Sequence, residues 1–246
     1  MRLYLIRHAQ SGNNALIDEI GRSHDPTLTP VGEQQAQKLA TYLATQPDMP
    51  TGAFGEERNP DEIPYHFTHL YCSAMHRAVQ TAYFVGQTMK IKPGIWRDIH
   101  EIGGIYLDEP EGRSQGLPGL SRTEMLNYFP EIDVSEDIGE TGWWPVEVGR
   151  ESWEHAAERA RGVAEVLQQR AKTNPDDHVA LVTHGAFMSM VIQWLLSNSA
   201  RQSLYYAHYN TAISRIDFND PMGGPDAMRL HYLNRLDHLT LDERTY

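Results

Sequence analysis

The chain has 246 residues, 40% hydrophobic and 22% charged, enough for one large α/β domain or two small ones with a sizeable core. A formal net charge of -12 disfavours nucleic acid and anionic membranes as partners, so an anionic ligand would need a local pocket of positive charge. The single cysteine, Cys72, excludes an intramolecular disulfide and a thiolate zinc site.

The first apolar run ends at Ile6. It is too short for the core of a signal peptide, and no small-residue cleavage site follows. No run reaches the length of a membrane span, so a cytoplasmic protein is expected. Leu3 to Ile6 reads as a buried strand opening into a polar loop. Thr29 then caps a helix with Pro30 at its first position, and Ala36, Leu39, Ala40 and Leu43 form its buried stripe. Residues 47–64, with four prolines and two glycines, read as a surface loop.

A second strand is predicted over Thr68–Cys72, with Cys72 as a small buried hydrophobe. A helix is predicted over Ala74–Met89 and a third strand over Gly94–Asp98. Residues 103–150 are irregular, and Ser121-Arg-Thr-Glu124 has the pattern of a capping box opening a short helix that Pro130 ends. Trp143-Trp144-Pro145 fits a protein-binding patch, part of a lid or an apolar plug. A long helix follows from about Ser152 to Lys172, then a turn at Pro175–His178 and a strand over Val179–Thr183. Another helix begins just after Gly185. Thr211–Phe218 and Met228–Leu233 read as closing strands, joined by a turn over Asp220–Gly224.

Strands alternating with helices predict an α/β three-layer sandwich, a mostly parallel sheet with helices on both faces. Ligands of such sheets sit at the carboxyl ends of the strands. Arg7 and His8 follow the first strand, Ser73 and Arg77 the second, Glu101 the third and His184 the fourth.

Those residue types suit phosphoryl transfer, which needs a nucleophile, positive charge on the non-bridging oxygens and a proton for the leaving oxygen. His8 is the candidate nucleophile, kept neutral by neighbouring arginines. Arg7 and Arg77 can each grip phosphate with a planar fork of donors, and a protonated His184 would add charge. Ser11, Asn14 and the backbone N–H groups of the first loop could complete the cradle, although Ser11 and Asn14 also suit a purely turn-shaping role. Glu101 is the carboxylate expected at a strand end beside this cluster, as general acid and later as the base that activates water. The arginine clamp makes a metal unnecessary, and no cofactor is expected.

The segment Arg7-His8-Ala9-Gln10-Ser11-Gly12-Asn13-Asn14 resembles the Arg-His-Gly-Glu-Thr signature of the histidine phosphatase superfamily, also called phosphoglycerate mutase-like. Leu28-Thr-Pro-Val-Gly32-Glu-Gln-Gln35-Ala36 is similar to the family's Leu-Thr-x-x-Gly-x-x-Gln-Ala segment. Ser73-Ala-Met-His-Arg77-Ala78-Val-Gln80-Thr81 matches its second arginine block, and Val182-Thr-His184-Gly185 its second histidine block. Asn210-Thr-Ala-Ile-Ser-Arg215 resembles a late family strand. The blocks run in family order over nearly the whole chain.

The resemblance implies a single phosphoglycerate mutase-like domain over residues 1–246, with 103–150 as a lid or insertion over the active site. It implies a metal-independent phosphomonoesterase of the histidine acid phosphatase type. His8 would form the phosphohistidine, Arg7, Arg77 and His184 would bind the phosphoryl group, and Glu101 would donate the proton. The substrate would be a small phosphorylated molecule; a homodimer is compatible with the sequence but not indicated by it.

Ala9 and Gln10 replace the usual Gly-Glu of the signature. Ile102, rather than the arginine of cofactor-dependent mutases, follows Glu101, which favours a phosphatase. The alternatives are a phosphoglycerate mutase needing a bisphosphorylated primer, and a catalytically inactive binding member of the family. His100-Glu101 begins like a zinc-protease motif, but Gly104 stands where the second histidine is required. Gly112-Arg-Ser114-Gln-Gly116 matches a nucleophile elbow in letters, without the strand before it and the helix after it.

Overall fold

The central strand of the protein, seen in a computed structural model, is its first. β1 spans Arg2–Arg7 and alternates between two cores: Leu3 and Leu5 enter one, Tyr4 and Ile6 the other. The structure describes residues 1–17, 21–48, 65–109, 112–219 and 227–246. On one side of β1 lie β2 (His69–Cys72), β3 (Gly94–Ile95) and β6 (His178–Thr183); on the other lie β7 (Ile213–Phe218) and β8 (Met228–Arg235). The order across the six-stranded sheet is β3-β2-β6-β1-β7-β8. The pairs β1–β6, β6–β2 and β2–β3 are parallel, and β7 runs against both of its neighbours.

Helices α1 (Pro30–Thr45) and α2 (His76–Met89) cover one face, and α4 (Trp153–Thr173) and α5 (Gly185–Ser197) the other, the predicted three layers. Thr29 accepts Gly32 N at 3.0 Å and caps α1, with Pro30 at its first position. Leu39, Ala40 and Leu43 of the predicted stripe join the core shared with α2. Gly32 is required by a close approach: a Cβ there would lie 2.0 Å from the carbonyl oxygen of Gln10, in the loop after β1. Ser152 caps α4, its side chain accepting His155 N. Among the described residues, no helix is long and apolar enough to cross a membrane.

The departures from the sequence reading have local causes. α2 begins at His76 rather than Ala74, because Ser73 Oγ accepts Met75 N at 3.2 Å and holds the entry extended. β3 stops at Ile95, and a 3-10 turn over Arg97–Ile99 replaces the rest of the expected strand. β7 starts at Ile213 rather than Thr211, since Thr211 sits at φ +61°, outside any strand conformation. The turn predicted at Asp220–Gly224 lies outside the described residues, as does most of the loop predicted at 47–64.

Residues 103–150 are more ordered than the sequence suggests. They contain an antiparallel hairpin, β4 (Tyr106–Asp108) with β5 (Ser114–Gly116), and α3 (Arg122–Tyr128), capped by the predicted Ser121–Glu124 box. Ile105, Met125, Phe129, Ile132, Val134 and Ile138 enter the core beneath α2. Trp143 and Trp144 are buried in it as well, so the apolar-plug reading holds and the exposed-patch reading does not. Ser114 lies in β5 and donates to Asp108 at 2.6 Å; no helix begins directly after it, α3 starting only at Arg122, which removes the nucleophile elbow. Cys72 is fully buried, and burial pushes its thiol pKa up, so it is unreactive.

Candidate active site

β1 delivers His8 to the carboxyl edge of the sheet, where the ring is 3% exposed. His8 Nδ1 lies 2.7 Å from the carbonyl oxygen of Ala9. A carbonyl can only accept, so Nδ1 carries the proton and Nε2 keeps its lone pair. Arg77 Nε donates to that Nε2 at 3.1 Å. Burial, then the charges of Arg77 and Arg7, hold the His8 pKa well below its ordinary value, so the ring is neutral.

Arg7 donates through Nη1 to the carbonyl oxygen of His208, and its guanidinium carbon lies 4.9 Å from the ring centre of Tyr246. Its Nε is buried with no hydrogen-bond partner among the described residues. Arg77 Nη1 lies 3.9 Å from Asp25 Oδ1, a carboxylate the sequence reading did not single out. Asp25 also accepts His76 N, the first amide of α2, at 3.0 Å, while its Oδ2 has no partner among the described residues. Burial pushes the Asp25 carboxyl up to about 6 against the pull of Arg77.

His184 precedes α5 and is fully buried. Its ring centre is 5.0 Å from that of His8, and its Nε2 is 2.8 Å from Ser73 Oγ. Its Nδ1 has no partner among the described residues. Burial and the nearby charge of Arg77 lower its pKa well below the ordinary value, so the ring rests neutral, without the charge that a protonated His184 would add. Two buried polar nitrogens, Arg7 Nε and His184 Nδ1, are thus unsatisfied within the basic cluster. An anion could engage them, as buried polar atoms ordinarily require a partner.

Glu101 is docked on the first turn of α5. Oε1 accepts Phe187 N at 3.0 Å and its neighbour Ile102 N at 3.0 Å; Oε2 accepts Ala186 N at 3.3 Å. Its negative charge acts on both Arg7 and Arg77. Glu101 and Arg77 line one cavity of 290 Å³, together with Arg22, His24, Tyr106 and Asp108.

Ser11 and Asn14 are engaged with each other: Asn14 Oδ1 accepts Ser11 N at 3.1 Å and Ser11 Oγ at 2.9 Å. The backbone donors expected to cradle phosphate are likewise taken. Ala9 N donates to Thr81 Oγ1, Gln10 N to Gln35 Oε1 and Gly12 N to Thr27 O. The first loop therefore presents side chains rather than a nest of amides.

Several supporting residues escaped the sequence reading. Asn210 Nδ2 donates to the carbonyl oxygen of His8 at 3.0 Å, and Thr211, at its strained φ, sends its N–H to Arg7 O at 3.1 Å. Gln35 ties Gln10 to Glu243 and Thr245. The similarity blocks contain Gln35, Thr81 and Asn210, which was the available signal; nothing local marked Asp25. Among the described residues, no three His, Cys, Asp or Glu side chains converge so as to hold a metal ion.

A model of the histidine phosphatase superfamily (branch 1) matches residues 3–50 and 62–228. A broad-specificity phosphatase of Saccharomyces cerevisiae is 26% identical over 220 residues, covering 89% of this chain and 80% of its own. Among solved structures, the alpha-ribazole phosphatase of Shigella flexneri superposes with a TM-score of 0.58 at 20% identity, over 96% of each chain. Phosphoserine phosphatase from Entamoeba histolytica, in complex with phosphoserine, gives 0.56 at 20% identity, over 97% of this chain and 99% of that one.

Proposed function

The chain belongs to the histidine phosphatase superfamily, branch 1, and we propose that it hydrolyses a small phosphomonoester through a phosphohistidine on His8. The carrying observation is the state of one ring. Nδ1 of His8 is tied to Ala9, and the lone pair of Nε2 faces the guanidinium of Arg77. For attack, Arg77 must turn its Nε–H from that lone pair to a phosphate oxygen, which leaves a neutral nucleophile beside a cation.

In the first step the Nε2 lone pair forms the N–P bond. The P–O bond to the alcohol breaks, its electron pair stays on the alcohol oxygen, and that oxygen takes a proton from Glu101. In the second step Glu101 removes a proton from water, the water oxygen bonds to phosphorus, and the N–P pair returns to Nε2. Oε2 of Glu101, with its single longer hydrogen bond, is the oxygen better suited to carry the proton. Arg7, Arg77 and His184 bind the non-bridging oxygens. For Ser11 and Asn14 to join them, the bonds between the two must be exchanged for bonds to phosphate.

No step calls for a metal or cofactor, and turnover is expected to survive EDTA. Residues 103–150 act as a lid whose first part sets substrate choice, supported by Gly104, Tyr106, Leu107 and Asp108 lining the cavity beside Glu101. The similarity to phosphatases, and Ile102 after Glu101, favour hydrolysis over a mutase reaction.

The test measures free phosphate released from a panel of phosphomonoesters by the wild type and by His8→Ala. A labelled, acid-labile phosphoenzyme should be trapped in the wild type and absent from the variant. Near-normal turnover by His8→Ala would exclude covalent catalysis through this residue. Isomerised product without free phosphate would indicate the mutase.

A further inference from the structure

The segment carrying Glu101 is neither helix nor strand beyond its 3-10 turn, yet its carbonyls are held one after another. Arg97 O lies 2.8 Å from His100 Nδ1. Asp98 O and His100 O both accept Nη1 of Arg159, at 2.8 and 3.0 Å. Ile99 O accepts Thr183 Oγ1, and Glu101 O accepts Gly104 N at 3.1 Å.

Arg159 reaches this segment from α4 and is itself aimed by Glu151. Nε and Nη2 donate to the two carboxylate oxygens at 2.9 and 2.6 Å, fork to fork. Glu151 in turn pins the far side of the segment, its backbone N donating to Gly103 O at 3.0 Å. The guanidinium carbon lies 4.3 Å from the ring centre of Phe187. Phe187 N is one of the two donors that hold Glu101 Oε1. One part-buried cation therefore touches both the peptide that bears the carboxylate and a residue that helps to fix its oxygen. Neither Arg159 nor Glu151 lines the cavity where Glu101 opens.

We infer that Arg159, oriented by Glu151, is a positioning residue for proton transfer: it sets the direction in which Glu101 presents its carboxyl to the departing oxygen. This rests on the reading of Glu101 as the general acid. Misplacing an acid matters when the leaving group needs the proton. An alkyl alcohol needs it; p-nitrophenolate, a stable anion, hardly does.

The experiment compares kcat/KM, which reports phosphoenzyme formation, for β-glycerol phosphate and p-nitrophenyl phosphate. Glu101→Gln should lower the alkyl value far more than the aryl one. Arg159→Met should lower the alkyl value by about tenfold or more and leave the aryl value within about twofold. Added to Glu101→Gln, it should cost nothing further on the alkyl substrate, since both changes disable one device. Glu151→Gln, which keeps the side-chain shape, should give the same signature if Arg159→Met does not fold. Equal losses on both substrates, or losses that multiply with Glu101→Gln, would overturn the inference while the acid assignment stands. If Glu101→Gln itself fails to separate the substrates, the acid assignment falls and the inference with it.

Discussion

The carboxylate of Asp25 lies 3.9 Å from Nη1 of Arg77, close enough to attract it but beyond hydrogen-bond reach. Arg77 spends its Nε on His8, so Asp25 is buried without the contact that would fully offset its desolvation. A charge that helps to hold Arg77 is thus kept at a cost to the fold.

Asp25→Asn should make the protein more stable at pH 7 and less active. The folded carboxyl sits at about 6, above its ordinary 3.8, so its stabilising contribution is complete below 3.8 and is lost as pH rises through 6. Removing the charge should return up to about 3 kcal/mol at pH 7 and nothing near pH 3.5. Chemical denaturation at the two pH values, paired with kcat/KM, checks both halves; a variant less stable at pH 7 would contradict the account.

His8 should remain neutral throughout the working range. Its pKa is held well below the ordinary value, so an acid-side fall in kcat/KM must come from another group. The ring nitrogens can be followed by NMR from pH 8 to pH 5. A titration of His8 near its usual value would mean that the guanidinium groups of Arg77 and Arg7 do not face the ring.

Acid should unfold the protein early. Burial lowers His208 and His238 to about 4 each, so their neutral forms contribute stability above 6.5 that disappears as pH falls toward 4. Two such groups give a slope of up to about 2.7 kcal/mol per pH unit, and His8 and His184 act in the same direction. Asp25 opposes them with one proton between 6 and 3.8. Thermal midpoints should therefore drop steeply between pH 6 and pH 4.5; a flat profile there would show that these rings are already solvated in the folded protein.

Gly32→Ala should cost about 2 kcal/mol or more and depress activity together with stability. The added methyl would meet the carbonyl oxygen of Gln10, a backbone atom two residues from the nucleophile. Normal melting with normal turnover would mean that α1 can retreat from the loop, which the Gln35–Gln10 bond opposes.

The arrangement of Arg7, His8, Arg77, Glu101 and His184 was legible because each follows a strand or helix signal carried by neighbouring residues. Thr29-Pro30 and Ser121–Glu124 declared their caps for the same reason. What could not be read depends on distant packing. Asp25 acquires meaning when the first turn of α2 buries it, and Arg159 and Glu151 look in sequence like ordinary surface charges. Trp143 and Trp144 declare their side only on packing, against His100, whose ring centre lies 5.4 and 5.0 Å from theirs, and in the core beneath α2. Whether His184 is protonated could not be read from sequence either, because the depth of its burial is a property of the assembled site.

The central position of β1 bears on biosynthesis. Its hydrogen-bonding neighbours, β6 and β7, begin at His178 and Ile213. At ribosomal speeds of about 5–20 residues per second, the strand that leads to His8 waits on the order of ten seconds or longer for its first partner. During that interval Leu3–Ile6 is an apolar edge open to wrong pairing, which makes the newborn chain a natural client for chaperones.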